Sequence, residues 1–455
     1  MRGMATSARL RKTRARSSAA PPAPTGFLAS WGELLGARPL PDVGRRRGRK
    51  PRVPLAQLLP ALTYHVVQDT GTLAAHLFAL FRTPLADSSW SDRRQRLPWE
   101  IFATLMRRAL RARATRRRHP TAFWRGWRVL ALDGTQFSLV NTPGVLATRA
   151  KARSRRGRAA FAKLTAAVLL EVGLHNPVAA AIGRAGESEW ALAQRLLAQL
   201  PKGALLLGDR LYGVSAFAHA AHTACARVGS HFLLRASRSV KPQTIRRLAD
   251  GTRLVRLRVR TPQAPRRVVT TLDVREIRVR VGRPGHRAHE LRLWTSLLTP
   301  RTAPALDLAR LYATRWQHEL YFREVKRDLR RTDLLQSHTV ETGAQEIAAI
   351  VLASAVLALE RAKAATAALP ALRVSFAQVL QIVRGVWLFA GPFHDLVTEA
   401  QHRQIVRRAY ALMRRSLTDP PRTRSCTRAV RQPVTRWPRM LTPTSVERAW
   451  RLTVV

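Results

Sequence analysis

Two short, mostly apolar runs, Trp127–Leu132 and Ala204–Gly208, each stop at an aspartate, and this pattern constrains the fold more than any other. Runs of that length, ended by Asp133–Gly134–Thr135 and by Asp209, read as buried strands leading into turns. Phe161–Val172 and Val178–Ile182 read as two more strands, Glu189–Leu200 and Val214–Val228 as helices, and His231–Arg235 as a further strand. Strands followed by helices in this order predict an α/β layer. Beyond it the period changes. Leu254–Arg260, Ile277–Val281 and Leu291–Leu293 alternate between Pro and Gly turns, which predicts antiparallel strands with arginine on one face. They form a β insertion within the α/β domain.

Helical patterns flank this centre. Leu55–Val67, Thr70–Phe81 and Ser88–Arg96, with a further helix after Leu97–Pro98, are short helices joined by tight turns. With Arg93, Arg94 and Arg96 they fit either a helix-turn-helix-like DNA module or a plain helical bundle. Arg45–Arg52 reads either as a basic linker or as an Arg–Gly arm for an A·T-rich minor groove. From Ala305 the chain is helical again; its longest apolar run, Ile347–Leu359, is too short for a membrane span and reads as a buried helix. The expected order is therefore a disordered basic arm (1–26), a helical N-terminal DNA-binding domain (27–120), a core in two parts (121–235 and 301–365) split by the β insertion (236–300), and C-terminal helices with a basic tail (366–455).

The 455 residues carry a net charge of +53, with basic residues spread along the whole chain. Dense Lys and Arg release counterions from nucleic-acid phosphates, so a polyanion partner along an extended surface is expected. Cys225 and Cys426 cannot build a disulfide framework and form no C-x2-C pair, which excludes structural zinc of that kind and predicts a reducing compartment. A cytoplasmic setting is expected, with no membrane partner.

Tyr312–Glu319 followed by Lys326 has the pattern Y-x2-R-x3-E-x6-K. At about 100° per residue of ideal helix, Arg315, Glu319 and Lys326 fall at roughly −60°, −20° and −40° from Tyr312. One helix face then carries a phenol, a guanidinium, a carboxylate and an ammonium. Asp133 and Asp209, at the ends of strands, can converge with Glu319 on a packed helix. Such a trio of hard oxygen donors can bind two Mg²⁺ ions for in-line phosphoryl transfer. Glu324 is rotated well away from the face of Glu319. Glu187 and Glu189 read as acids that favour a helix N-terminus.

These pieces, together with SEWALAQRLLAQL from Ser188, LLLGDRLYG, HFLLRAS from His231 and LWTSLLTP from Leu293, resemble a DDE transposase of the insertion sequence family 4 group. The likeness covers roughly Arg128–Ala365. It implies an RNase H-like catalytic core with a β-rich insertion between the second Asp and the Glu, for which the chain has about 110 residues. It implies that Asp133, Asp209 and Glu319 are the catalytic, metal-binding residues for two Mg²⁺ (or Mn²⁺) ions. It implies that Tyr312, Arg315, Lys326 and Arg210 contact DNA. Trp294 is either a base-stacking residue or a core residue of its strand. The resemblance further implies double-stranded DNA partners (terminal inverted repeats and target), cut-and-paste transposition through a hairpin, and a homodimeric synapse. A nuclease of the same fold and a non-catalytic DNA-binding derivative are the alternatives.

Overall fold

The computed structural model describes residues 26–36, 53–154, 157–260, 266–283, 286–419 and 451–454. The basic arm before residue 26, Arg45–Arg52 and most of the basic tail lie outside the described residues.

Five helices come first: α1 (Gly26–Leu35), α2 (Leu55–Gln68), α3 (Leu73–Phe81), α4 (Asp87–Gln95) and α5 (Trp99–Ala109). A two-residue strand, β1 (Phe123–Trp124), then pairs with the start of β2 (Trp127–Leu139). The chain continues through α6 (Pro143–Thr148), the β3–β4 hairpin (Arg153–Ser154 and Gly157–Arg158), β5 (Ala162–Glu171), β6 (Asn176–Ile182), α7 (Glu189–Leu197), β7 (Ala204–Gly208), α8 (Ser215–Arg227) and β8 (His231–Arg235). The insertion supplies β9 (Gln243–Arg247), β10 (Arg253–Val259), β11 (Thr270–Arg283) and β12 (His286–Thr295). Helices α9 (Ala305–Ala313), α10 (Trp316–Arg323), α11 (Val340–Ala364), α12 (Phe376–Ala390) and α13 (Glu399–Arg415) follow, and β13 (Arg451–Val454) comes last.

One mixed sheet runs through the molecule in the order β6-β5-β2-β7-β8-β12-β11-β10-β9. Its centre, β2-β7-β8, is parallel, and every other pairing is antiparallel. The insertion therefore does not form a separate sheet: β12 pairs with β8, so it extends the central sheet. Alternation along each strand feeds two faces. Leu206 packs with Leu192 and Leu196 of α7 and Phe217 of α8, whereas Leu205 and Leu207 pack with Leu308 and Leu311 of α9. β13 was not foreseen; it pairs with Val279–Gly282 of β11, just beyond the stretch that β10 covers.

The N-terminal helices do not stand apart. Phe27, Leu58, Tyr64 and Phe102 share one apolar core with Ile350, Leu357, Val379 and Trp387 of α11 and α12. Arg94, one of the arginines that fitted either a helix-turn-helix-like module or a plain bundle, turns inward and donates to the Thr342 carbonyl (2.9 Å) and to Ser337 and Gln345. Helix α11 is long and apolar enough to cross a membrane by length and composition, but its apolar stretch is wholly buried in this fold.

Two local expectations change. β2 does not stop at Asp133; it continues to Leu139 because β5 pairs with it from Leu130↔Glu171 to Leu139↔Ala162. The tertiary partner overrides the turn preference of Asp–Gly. The signature segment is also not one regular helix. Between Leu311 and His318 the backbone tightens, with Thr314, Arg315, Gln317 and His318 each donating to the carbonyl three residues back. From Glu324 to Leu329 it widens into a π-turn, a device that recurs at functional sites.

Candidate active site

The register of the parallel pair sets the first part of the site. Leu132 of β2 lies opposite Gly208, the last residue of β7. Asp133 and Asp209 are the next residue on each, so two neighbouring strands deliver their aspartates at the same level. Asp133 is mostly buried. Its Oδ1 accepts from the Gly134 N–H (2.9 Å) and its Oδ2 from Arg315 (3.2 Å). Asp209 turns the chain sharply: its Oδ1 accepts from Leu211 N–H (2.7 Å) and its carbonyl from Tyr212 N–H (3.2 Å).

Helix α10 brings the third acid. Its buried His318 donates from Nε2 to the carbonyl of Val168 (3.0 Å), the residue of β5 paired directly with Asp133. Burial pushes that imidazole down to about 3, so it is neutral. Glu319, the next residue, accepts from Arg315 at 2.6 Å. Arg315 thus bridges Asp133 and Glu319 with its two terminal nitrogens. It also interacts with the phenol of Tyr312, which burial pushes up to about 12.

The remaining candidates divide. Lys326, displaced by the π-turn, donates to the Gln136 carbonyl (2.6 Å) and stands over the Phe137 ring, on the stretch of β2 beyond Asp133. Arg210 is exposed beside Asp209 and lines an open cavity of about 220 Å³ with Arg235, Arg238, Glu290 and Arg292. Trp294 is fully buried in the core beneath α7 and α8, donates its indole N–H to Glu276 (3.1 Å), and offers no face to a base here. Glu324 is held inside by His175 (2.6 Å) and Arg361 (3.0 Å), away from Glu319. Burial opposes its ionisation, yet its contacts with His175 and Arg361 hold it below the usual carboxylate range.

One acid was missed. Glu189 does not merely favour a helix N-terminus. It reaches over Gly134 and accepts from the Tyr212 hydroxyl at 2.9 Å. The sequence signal was the glycine after Asp133: a Cβ there would stand 2.3 Å from the Glu189 side chain.

Asp133 shows what this concentration of acids does. Burial raises its carboxyl to about 7, Arg315 and Gly134 pull the other way, and Asp209 and Glu189 raise it further. Among the described residues no three acids or imidazoles converge closely enough to hold a metal ion, and the Arg315 guanidinium lies between two of them. The donor set nevertheless fits a hard divalent cation: carboxylate oxygens in a half-buried site whose negative charge is only partly compensated.

Comparison with known proteins bears on the same residues. Residues 124–356 match the model of a family described as a transposase DDE domain. The chain is 27% identical over 338 residues to the transposase InsG for insertion sequence element IS4 of Escherichia coli (strain K12), covering 72% of this chain and 75% of that one. Among solved structures it is similar to the piggyBac transposase in a synaptic complex with hairpin DNA, at 9% identity and a TM-score of 0.42, over 88% of this chain and 87% of that one. That likeness is too low to carry an argument.

Proposed function

The chain belongs to the transposase DDE-domain family, and from that premise we propose that it moves an insertion sequence by metal-dependent cut-and-paste transfer. The observation that carries this reading is the pair of aspartates at one level on adjacent parallel strands, with Arg315 joining Asp133 to Glu319. In this reading the α/β centre is an RNase H-like core. Asp133, Asp209 and Glu319 would hold two Mg²⁺ or Mn²⁺ ions. When bound, those ions supply an activated water or 3′-hydroxyl and stabilise the leaving oxygen of an in-line transfer.

The chain's own residues supply the rest. Arg315 is a resident counter-charge that holds Asp133 and Glu319 by one terminal nitrogen each. The Tyr312 phenol is a further partner of Arg315. Arg210, exposed at the rim, and Lys326, farther along β2, take phosphates on either side of the scissile one. The net charge of +53 supports a long DNA path, covering inverted repeats and target. Two copies would synapse two ends, passing through a hairpin on the element, in the cytoplasm of a bacterial host.

The test is cleavage of a plasmid carrying the DNA that flanks this gene, with Mg²⁺ or Mn²⁺. Wild type is expected to excise the element, while Glu319→Ala and Asp209→Ala bind its ends without cutting. Equal cutting by either variant would overturn the assignment of that acid. Binding without cutting by the wild type would favour a non-catalytic derivative, and cutting without strand joining a nuclease of the same fold.

A further inference from the structure

We propose that Glu189 is a positioning residue that ties together the two backbones carrying Asp133 and Asp209. This rests on the reading of those aspartates as catalytic. Glu189 is the first residue of α7, directly after its N-cap Ser188. Its carboxylate spans the gap between β2 and the turn after β7. On one side Oε1 accepts from the hydroxyl of Tyr212, a fully buried residue three positions after Asp209. On the other side the carboxylate lies across Gly134, whose backbone N–H interacts with it.

Each attachment is stiff. The Tyr212 ring packs on Phe217 at 4.8 Å, and the Tyr212 N–H closes the Asp209 turn. Gly134 cannot drift toward α7, because the Glu189 side chain already fills the space a Cβ would need. Asp133 and Asp209 have no hydrogen bond to each other among those described: Asp133 is held by Gly134 and Arg315, and Asp209 by the turn that follows it. Glu189 touches both the β2 backbone at Gly134 and the turn after β7 through Tyr212. It therefore sets the spacing of the two acids without having to meet substrate, as partners behind a reacting group commonly do.

The test separates the tie from the charge. Glu189→Ala removes both contacts, Tyr212→Phe removes the hydroxyl but leaves the carboxylate, and Glu189→Gln keeps an acceptor for Tyr212 while removing the charge. Hydrogen exchange followed by mass spectrometry reads the peptides around Gly134 and around Asp209–Gly213 in metal-free protein. Glu189→Ala and Tyr212→Phe are expected to raise exchange in both peptides, including the Gly134 peptide remote in sequence from Tyr212. Glu189→Gln is expected to restore protection of the Asp209–Gly213 peptide. In cleavage, the Mn²⁺ concentration for half-maximal rate should rise about tenfold in Glu189→Ala and Tyr212→Phe. It should rise no further in the double variant and fall back toward wild type in Glu189→Gln.

Loosening of one peptide alone, or equal defects in Glu189→Gln and Glu189→Ala, would overturn the tie. If wild type fails to cleave while exchange is coupled as expected, the functional reading fails and the tie stands. If wild type cleaves and the variants match it in both readouts, the tie fails and the functional reading stands.

Discussion

Asp133 should make the folded protein less stable as pH rises, and Asp133→Asn should abolish that loss. Its carboxyl titrates at about 7 in the fold against an ordinary value of 3.8. The folded state therefore holds this proton more tightly than the unfolded chain does. Below the unfolded value both states are protonated and no penalty exists. The penalty grows as pH rises through the window between the two values and is complete above about 7. A shift of roughly three units at about 1.4 kcal/mol each amounts to about 4 kcal/mol. Asparagine offers one acceptor where aspartate offers two, so one of the bonds from Gly134 and Arg315 is lost, offsetting about 1 kcal/mol. The variant should thus exceed wild type by about 3 kcal/mol at pH 8 and fall about 1 kcal/mol below it near pH 4. Urea denaturation of both proteins in chelator, from pH 4 to 8.5, measures this directly. Parallel pH profiles, or a wild type more stable than the variant at pH 8, would refute the argument that burial and neighbouring acids dominate at Asp133. The same variant should not cleave, so stability and activity would move in opposite directions.

Two further substitutions probe the frame. Gly213→Ala would put a Cβ 1.8 Å from the Arg235 carbonyl oxygen and 2.9 Å from Ala236 Cα. Both are backbone atoms that cannot swing aside, so a loss at the upper end of about 1–3 kcal/mol is expected in thermal melting. Trp294→Phe keeps most of the apolar contact but leaves the buried Glu276 without the indole donor, with only Arg278 (2.8 Å) and Arg292 (3.6 Å) near it. It should cost about 1–3 kcal/mol while pre-nicked ends are still joined. Unchanged stability with a selective loss of hairpin formation would instead return Trp294 to base stacking.

The strands were legible because their signals are local. His231–Arg235 reads as β8 residue for residue, and the alternating arginines of Arg253–Val259 mark β10. What sequence could not supply came from partners distant along the chain. Asp133–Gly134–Thr135 has turn chemistry, but ten residues of β5 keep it extended. Ideal helical phase put Tyr312, Arg315, Glu319 and Lys326 on one face. Arg315 does gather Tyr312 and Glu319, whereas the π-turn sends Lys326 to Gln136. Glu189 was read from its own helix terminus, where an acid needs no further explanation. Its partners, Gly134 and Tyr212, lie on two other elements that only the folded sheet brings beside it.

The pairing of β13 with β11 has a consequence for synthesis. Val279–Val281 of β11 pair with β12 on one side, but the other side of Val279–Gly282 is covered by Arg451–Val454, about 170 residues later. At ordinary ribosomal speeds of about 5–20 residues per second, that edge waits on the order of ten to thirty seconds after it is made. Once β12 has paired, the nascent chain still carries this open strand edge, a natural docking point for another emerging copy or a chaperone. A message cut short between Arg415 and Arg451 would yield a protein with Asp133, Asp209 and Glu319 in place and this edge of its sheet unsealed.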